Sequence, residues 1–270
     1  MKKIELTKEL ATEIYEKYLN GTSLMFLEKE YKISRKILSR ELQKLGFSLR
    51  NNGRKYSLNE KYFSTIDSSE KAYWLGFIAA DGGINRTGSN KKYNNLTINL
   101  NQRDAEHLEK FLKAIDSNDS VKLSPGVGYG EGTTIASISL NSVAMIEDLI
   151  NLGVVPKKSL VLSPPSIDKI YYRDWIRGYI DGDGSISLLK NGEAQLSVLG
   201  TEKVISFIKN FFSPEKDKKL YQYGNKNTYE LSYGGTVSIV KYLHQIYDNA
   251  TIYLDRKHQK ALEVYSRFEK

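Results

Sequence analysis

The 270-residue chain contains no cysteine, and this absence excludes several kinds of site at once. Disulfide frameworks, thiolate zinc sites and cysteine nucleophiles all need that side chain. The absence is also consistent with a reducing cytoplasm, which is where we expect the protein to reside. The three histidines, His107, His244 and His258, are scattered and have no metal-ligand spacing. The chain therefore offers neither a thiolate nor a histidine metal cluster.

Long apolar stretches are missing as well. No run approaches the roughly 18–20 residues that a transmembrane helix needs. The beginning of the chain, Met-Lys-Lys-Ile-Glu-Leu, is too short and too polar for a signal peptide, so we expect no membrane association. A hydrophobic content of 40% and 19 tyrosines are ample for a folded core, and the length allows a duplicated domain plus a small one.

The net charge of +8 is distributed unevenly. Residues 1–56 hold 13 Lys+Arg and 7 Asp+Glu, a balance of +6, so the remaining 214 residues contribute only +2. A compact basic segment is typical of a protein that binds nucleic acid. A solvated basic surface without that function is the alternative.

The basic N-terminal segment predicts three short helices: one over 7–19, one capped by Thr22 or Ser23, and one from Ser34 to about Leu45. Two brief helices, a tight turn and a third helix with a basic outer face resemble the small helix-turn-helix domains of resolvases. A purely structural three-helix bundle is the alternative. The predicted DNA contacts here are Arg35, Lys36, Ser39, Arg40, Arg50, Arg54 and Lys55.

Two segments farther along the chain are nearly the same, and they indicate an internal repeat. The residues in register, at a constant offset of 102, are Gly76, Ile78, Asp81 and Gly82 with Gly178, Ile180, Asp183 and Gly184. A single Asp-Gly pair is a common turn signal. Its duplication at the end of an apolar helix pattern points instead to a pair of carboxylates.

Four domains or segments follow from these patterns: a helix-turn-helix domain at 1–50, a basic linker at 51–69, and two repeated halves at 70–160 and 161–270. The linker is polar and lacks a sustained period, and we expect it to order only on binding. Each half is predicted to run αββαββα, with a last helix near 255–267, which makes the fold class α+β.

Small residues lie on one face of each repeated helix, at Gly76 with Ala79 or Ala80 in the first and at Gly178 and Gly182 in the second. Such residues let two helix backbones pack directly against each other, which would bring Asp81 and Asp183 together. Two carboxylates that close repel each other unless a cation lies between them. Oxygen ligands with open positions suit Mg²⁺, and phosphodiester hydrolysis uses that arrangement.

The two segments resemble the motifs of single-chain, pseudo-dimeric LAGLIDADG homing endonucleases. Gly-Phe-Ile-Ala-Ala-Asp-Gly at 76–82 and Gly-Tyr-Ile-Asp-Gly-Asp-Gly at 178–184 keep the family's glycine, aliphatic core and terminal Asp-Gly. The resemblance covers residues 60–268. It implies a monomer whose two halves form a saddle, with both sheets in the DNA major groove. It also implies Mg²⁺-dependent cleavage of both strands of a long asymmetric target, leaving short 3′ overhangs; Mn²⁺ and Ca²⁺ are other ions for the same sites.

The resemblance also assigns roles to individual residues. The implied metal ligands are the carboxylates of Asp81 and Asp183, assisted by the carbonyls of Ala80 and Gly182. Ala79 departs from the family pattern, since the earlier acid is present only as Asp181, a position that is not the essential metal ligand.

Three further polar residues match catalytic positions of the family. Lys158 and Lys257 are at its basic position and would stabilise negative charge in the transition state; an ordinary surface lysine is the alternative for each. Gln102 matches a position that organises water around the metals. The second half has no glutamine there, so we expect that the two halves cut their strands at unequal rates.

The predicted hairpin strands alternate, and their polar face carries Asn, Ser, Thr and Gln rather than Glu and Lys. Such side chains form directional hydrogen bonds to base edges in a major groove, which admits a β-ribbon. The predicted DNA contacts of the two halves are Arg86, Thr97, Asn99, Asn101, Ser185, Ser187, Gln195 and Ser197.

A site-specific double-stranded DNA endonuclease is therefore the predicted function. An RNA maturase that binds intron RNA is one alternative, and a non-cleaving transcriptional regulator is another; such regulators typically lack the paired acids, and both acids are present here. The sequence does not disclose the target or whether the host element is an intron, an intein or a free-standing gene. An organelle intron would place the protein in that organelle.

Overall fold

The computed structural model describes residues 6–20, 22–47, 49, 56–88, 92–126, 131–189, 192–215, 217–224 and 226–268. The chain divides into two compact units, Met1–Leu58 with Asp116–Asp119 and Asn59–Ile115 with Ser120–Lys270. The predicted DNA contacts Arg50, Arg54 and Lys55 lie outside the described residues. No helix in the described ranges is long and apolar enough to cross a membrane.

The smaller unit contains three helices: α1 (Lys8–Leu19), α2 (Leu24–Tyr31) and α3 (Arg35–Lys44). The side chains of Thr7 and Ser23 cap the first two by accepting backbone N–H hydrogen bonds, which satisfies donors that a helix leaves free at its beginning. The core consists of apolar residues from all three helices, among them Ala11, Ile14, Leu27, Leu38 and Leu42. The three predicted helices are thus present, while their role in DNA binding stays a prediction.

The larger unit runs through the same order of elements twice. The first half consists of α4 (Ser69–Asp81), β1 (Gly82–Asn85), β2 (Asn95–Asn101), α5 (Ala105–Ala114), β3 (Lys122–Pro125), β4 (Thr134–Asn141) and α6 (Val143–Asn151). The second half consists of α7 (Tyr172–Asp183), β5 (Gly184–Leu188), β6 (Ala194–Gly200), α8 (Glu202–Phe212), β7 (Tyr221–Gln222), β8 (Tyr229–Gly234) and α9 (Thr236–Tyr247), and α10 (Asp255–Phe268) follows it. The predicted α+β fold of two αββαββα halves is confirmed.

Both halves contain a four-stranded antiparallel sheet of the same order, β1-β2-β4-β3 in the first and β5-β6-β8-β7 in the second. Gly82 pairs with Ile98 in the first sheet, and Gly184 pairs with Val198 in the second. The residue numbers of equivalent positions in the two halves therefore differ by 102 in the motif helices and by 100 in β2 and β6. Alternate residues of these strands are buried, as a sheet with one face on a core requires.

The backbones of α4 and α7 pack directly against each other. A Cβ added to Gly76 would lie 2.0 Å from the carbonyl oxygen of Trp175, and one added to Gly178 would lie 2.0 Å from that of Tyr73. Such contacts exclude any side chain, so both positions need glycine. The helix contact predicted from the small residues is confirmed.

Residues 59–69 differ from the linker interpretation. Tyr62 and Phe63 are buried, and Phe63 packs against Phe111 of α5 with ring centroids 6.4 Å apart. The backbone N–H of Asn59 donates to the carbonyl of Ile115. An irregular segment can bury side chains without any period, which is why the pattern did not reveal this packing.

Some element boundaries also differ. The second motif helix ends at Asp183 rather than at 181, and β1 and β5 each begin at the glycine that follows the motif acid. The helix continues through the acid because each cap glycine donates its N–H to a helical carbonyl four residues earlier.

Candidate active site

Asp81 and Asp183 are the last residues of the two packed motif helices. A Cβ added to Gly182 would lie 2.3 Å from the Cβ of Ala80 and 3.2 Å from the Oδ2 of Asp81, so the helix ends touch where the acids are. Asp81 is half-buried and Asp183 is exposed. The structure thus brings the two predicted metal ligands to one place, while their role stays a prediction.

The two carboxylates influence each other's protonation. Burial and the charge of Asp183 raise the pKa of Asp81 to about 6, although nearby lysines oppose this. Although Asp183 is exposed, the protein atoms packed around its carboxylate exclude part of its hydration and raise its pKa, while the charges of Lys158 and Lys257 lower it. The pair therefore favours protonation or a bound cation over two free negative charges.

Both predicted catalytic lysines reach the ends of the motif helices. The Nζ of Lys158 donates to the carbonyl of Ala80. The buried Nζ of Lys257 lies 2.6–3.1 Å from four carbonyl oxygens, those of Ile180, Asp181, Gly182 and Gly184. An ammonium has three protons, so these four acceptors share it. Lys257 consequently caps the end of α7, a role that the sequence did not predict.

The two lysines are also partly dehydrated. Burial lowers the pKa of Lys257 to about 8, against the opposing charge of Asp181. Burial lowers the pKa of Lys158 as well, while Asp183 and Asp81 oppose it. A positive charge that water solvates poorly interacts strongly with a nearby anion.

The donor set fits a hard divalent cation such as Mg²⁺. Asp81 and Asp183 supply carboxylate oxygens, and a carbonyl oxygen has two lone pairs, so Ala80 and Gly182 can accept a second partner beside their lysines. Among the described residues, no group of three or more His, Cys, Asp or Glu is placed to hold a metal. An ion here would thus take its remaining ligands from water and phosphate, as Mg²⁺ usually does.

A cavity of about 240 Å³ opens beside Asp183, and Lys158, Tyr179 and Thr201 are among the residues that line it. The hydroxyl of Tyr179 donates a hydrogen bond to the carbonyl oxygen of Leu199 at 3.1 Å, and the Asp183 carboxylate lines the same cavity. Burial and the charge of Asp183 raise the pKa of Tyr179 well above its ordinary value, so the hydroxyl keeps its proton and acts as a donor. The sequence interpretation missed this group, and its only signal was a tyrosine in one motif copy.

Asp181 is fully buried, and its carboxylate accepts hydrogen bonds from several elements of the fold. It accepts hydrogen bonds from the Tyr73 hydroxyl at 2.8 Å, the Tyr247 hydroxyl at 2.6 Å and the Leu254 N–H at 2.7 Å. The Tyr73 oxygen in turn lies 3.0 Å from Nε2 of His107. Asp181 therefore connects α4, α7, α9 and the beginning of α10.

Gln102 is exposed at the first residue of a short 3-10 helix, Gln102–Asp104. The strand register makes Glu202 its equivalent in the second half. At the end of the same short helix, the two carboxylate oxygens of buried Asp104 share the single Nε–H of Arg256, at 3.0 and 2.8 Å. The proposed role of Gln102 in organising water stays a prediction.

The predicted base-reading residues of the sheets differ in accessibility. Asn99, Asn101 and Ser185 are exposed, whereas the half-buried residues are Thr97, Ser187, Gln195 and Ser197. Thr97 accepts a hydrogen bond from Nδ2 of Asn85, and Gln195 donates to Ser232. The exposed guanidinium of Arg86 lies 4.3 Å from the ring centroid of Tyr93. Contacts of all these residues with DNA stay predictions.

The predicted DNA contacts on α3 are largely exposed, but two of them already have partners. Arg35 forms an ion pair with Glu28 at 3.0 Å, and Arg40 forms one with the buried Glu41 at 2.8 Å. Lys36 is exposed and Ser39 is half-buried. A phosphate would compete with the two glutamates for these arginines.

At the level of sequence, the chain is similar to a known protein only at low identity. No protein-family model matches the chain. The replication factor C small subunit of Methanocaldococcus jannaschii is 26% identical over 205 residues, which are 75% of this chain. The match spans only 10% of that protein's length.

Similar solved structures are LAGLIDADG enzymes. They include the meganuclease I-AabMI bound to uncleaved DNA (14% identity, TM-score 0.49, 72% of this chain and 88% of that one). The homing endonuclease I-GzeII in complex with its DNA target has 12% identity and a TM-score of 0.47, over 79% of this chain and 91% of that one. I-LtrWI bound to target DNA has 11% identity and a TM-score of 0.46, over 78% and 92%.

Proposed function

We propose that the protein is a site-specific DNA endonuclease that hydrolyses one phosphodiester in each strand of a duplex and uses a divalent cation, Mg²⁺. The convergence of Asp81 and Asp183 at the touching ends of α4 and α7 carries this proposal. One carboxylate comes from each repeated half, and a lysine lies beside each helix end. A pseudo-symmetric pair of centres matches the two strands of a duplex.

Asp81 and Asp183 would hold the cation, with the carbonyls of Ala80 and Gly182 beside them. When bound, the ion supplies Lewis acidity and lowers the pKa of water. Lys158 lines the cavity next to Asp183, where its ammonium offsets negative charge that develops on a phosphate. Lys257 acts differently, because it holds the end of α7 and thereby fixes the position of Asp183.

Target recognition in this proposal uses the polar faces of both sheets. Amide and hydroxyl side chains at exposed strand positions can exchange hydrogen bonds with base edges. We also propose that the three-helix unit adds affinity, since linking two DNA-binding modules raises the effective concentration of the second. Arg35, Lys36 and Arg40 would contribute contacts with phosphate.

The proposal is tested by incubating the full-length protein with a library of duplex targets and Mg²⁺ and by mapping the ends produced. Cuts in both strands at one preferred sequence support it. Duplex binding without any cut would favour a transcriptional regulator, and preferential binding of structured intron RNA would favour a maturase.

A further inference from the structure

The two lysines at the ends of the motif helices are held to different degrees. Lys257 is buried, and its ammonium contacts four carbonyls at the end of α7. Lys158 is half-buried, and in the part of the chain that the structure describes its ammonium donates one hydrogen bond, to the carbonyl of Ala80. Ala80 and Gly182 each precede the motif acid of their own half, so the two lysines occupy equivalent places. The second half therefore holds its lysine more firmly.

The firmer contact coincides with the acid that only the second motif has. Asp181 accepts a 2.7 Å hydrogen bond from the N–H of Leu254, the residue before α10. The carbonyl of Leu254 in turn accepts the N–H of Lys257 at 2.9 Å, so the carboxylate holds the first turn of the helix that carries the lysine. Ala79, the equivalent of Asp181, has no acceptor on its side chain. Lys158 correspondingly begins a 3-10 helix of only three residues.

The two contacts join α7 and α10 twice through one residue. The side chain of Asp181 holds the beginning of α10, and the Lys257 ammonium reaches back to the Asp181 carbonyl at 2.6 Å. The same ammonium lies 3.1 Å from the carbonyl oxygen of Gly182 and 2.7 Å from that of Gly184. These two glycines flank Asp183. Asp181 therefore acts, through Lys257, on the backbone that carries the motif acid.

We propose that Asp181 is a positioning residue: its carboxylate anchors the beginning of α10 and so keeps the Lys257 ammonium on the carbonyls that flank Asp183. The consequence for cleavage rests on the proposed endonuclease function. An ammonium that shares its three protons among four carbonyls has none left for a phosphate. Lys158 makes one such bond among the described residues and lines the cavity beside Asp183, so it is the lysine that can serve the substrate. The anchored lysine positions the acid instead.

Loss of the carboxylate should release Lys257 in a way that a chemical probe detects. The full-length protein is treated under native conditions with an amine-acetylating reagent, and the rates at Lys257 and Lys158 are measured by peptide mass spectrometry. Asp181→Ala is expected to raise the ratio of the Lys257 rate to the Lys158 rate about tenfold, because a lost hydrogen bond to a charged group shifts a local opening equilibrium by that order. The ratio cancels differences in reagent concentration between samples.

Two further variants separate positioning from a general loss of stability. Asp181→Asn can keep the Leu254 bond, since Leu254 and Tyr73 share Oδ2 and the amide oxygen can take that place. Its NH₂ group then faces the Tyr247 hydroxyl, whose oxygen can accept. Tyr247→Phe removes the donor to Oδ1 and leaves the Leu254 bond in place, so it is the matched structural control. Both variants should keep the acetylation ratio within about twofold of the wild type.

A reciprocal variant keeps the proposal testable if Asp181→Ala does not fold. Lys257→Met removes the ammonium but not the carboxylate, so the Leu254 N–H should stay protected in hydrogen exchange resolved to single amides. Faster exchange at Leu254 than at the other amides of α10 would show that the lysine holds the helix, and this would overturn the inference. An unchanged acetylation ratio in Asp181→Ala, or an equal rise in Tyr247→Phe, overturns it as well.

Cleavage of the mapped duplex gives the functional readout. Asp181→Ala should lower kcat about tenfold or more with KM nearly unchanged, because a small displacement of Asp183 slows the chemical step, and Asp181→Asn should restore most of the rate. An unchanged kcat in a variant whose Lys257 is released would overturn the link to cleavage. If the wild type cuts no duplex, the proposed function itself has failed. The acetylation ratio then still decides the role of Asp181: a rise confined to Asp181→Ala supports positioning, and no rise contradicts it.

Discussion

The hydroxyl of Tyr73 donates a 2.8 Å hydrogen bond to the carboxylate of Asp181, so a buried tyrosine–aspartate pair fastens the first motif helix to the second. The equivalent of Asp181 in the first half is Ala79, which cannot make the reciprocal bond. Lys257 also contacts the backbone carbonyl of Asp181. The two acids at the helix ends are related by pseudo-symmetry, but the hydrogen bonds around Asp181 that hold the helices together have no counterpart at Ala79.

Loss of the Asp181 carboxylate should be severe. Asp181→Ala leaves two buried hydroxyls and one N–H without their acceptor. We expect the free energy of unfolding to fall by about 3–5 kcal/mol, because each buried donor left without its acceptor costs about 1–3 kcal/mol. Equilibrium denaturation measures this. Asp217→Ala, which breaks the ion pair with Lys209 at an exposed aspartate, is the control and should change little. An equal effect of both variants would contradict the account.

The helix contact makes a second prediction. Gly76→Ala places a Cβ 2.0 Å from a backbone oxygen of α7, so the helices must separate and the stability should fall by about 3 kcal/mol or more. Gly234→Ala is the matched control, because a Cβ there has no heavy atom within 4 Å. Thermal and chemical unfolding compare the two. Equal stability of both variants would show that the helices do not touch as described.

His107 should make the protein acid-sensitive. Burial lowers its pKa to about 3, from an ordinary value of 6.5, so the folded state resists protonation. Its contribution to stability is complete above pH 6.5 and is lost as the pH falls toward 3. The loss at pH 5 is about 2 kcal/mol. His107→Gln should flatten this pH dependence in denaturation experiments. Identical slopes for variant and wild type would refute the assignment.

The acid pair predicts an opposite pH effect and a response to metal. Because the pKa of Asp81 is raised to about 6, the folded state favours the protonated carboxyl, and stability falls as the pH rises from 3.8 through 6. With a chelator at pH 8, Asp81→Asn should exceed the wild type in stability by about 1–2 kcal/mol.

The control for this prediction is acid, where the wild-type carboxyl is protonated and the two proteins should be equally stable. Added Mg²⁺ should then stabilise the wild type more than the variant, since only a ligand of the folded state shifts the equilibrium. The same response of both proteins to Mg²⁺ would argue against Asp81 as a ligand.

Much of the framework could be predicted from the sequence because it is local or repeated. Strand alternation predicted β2 and β6, and the repeated glycines predicted the helix contact, since only glycine permits such a close approach. The partners of Asp181 could not be predicted, because Tyr247 and Tyr73 are 66 and 108 residues away along the chain. No local pattern encodes such a meeting of side chains.

The other differences have similar causes. Tyr62 and Phe63 pack from an irregular segment, where no period reveals burial. Lys257 lies near the beginning of α10. Its capping role depends on the tertiary packing that brings its ammonium to the carbonyls at the end of α7, and no local pattern encodes this packing. Contacts with DNA depend on the bound partner as well as on the protein, so the DNA-binding roles assigned from the sequence stay predictions.

The central claim is that Asp81 and Asp183 form a metal-dependent pair of cleavage centres. Its most direct test measures cleavage of both strands of the mapped target in Mg²⁺ by Asp81→Asn and by Asp183→Asn, with DNA binding measured alongside. We predict that neither variant produces a double-strand break and that both bind the target nearly as well as the wild type. Cleavage of both strands at the wild-type rate by either variant would contradict the account.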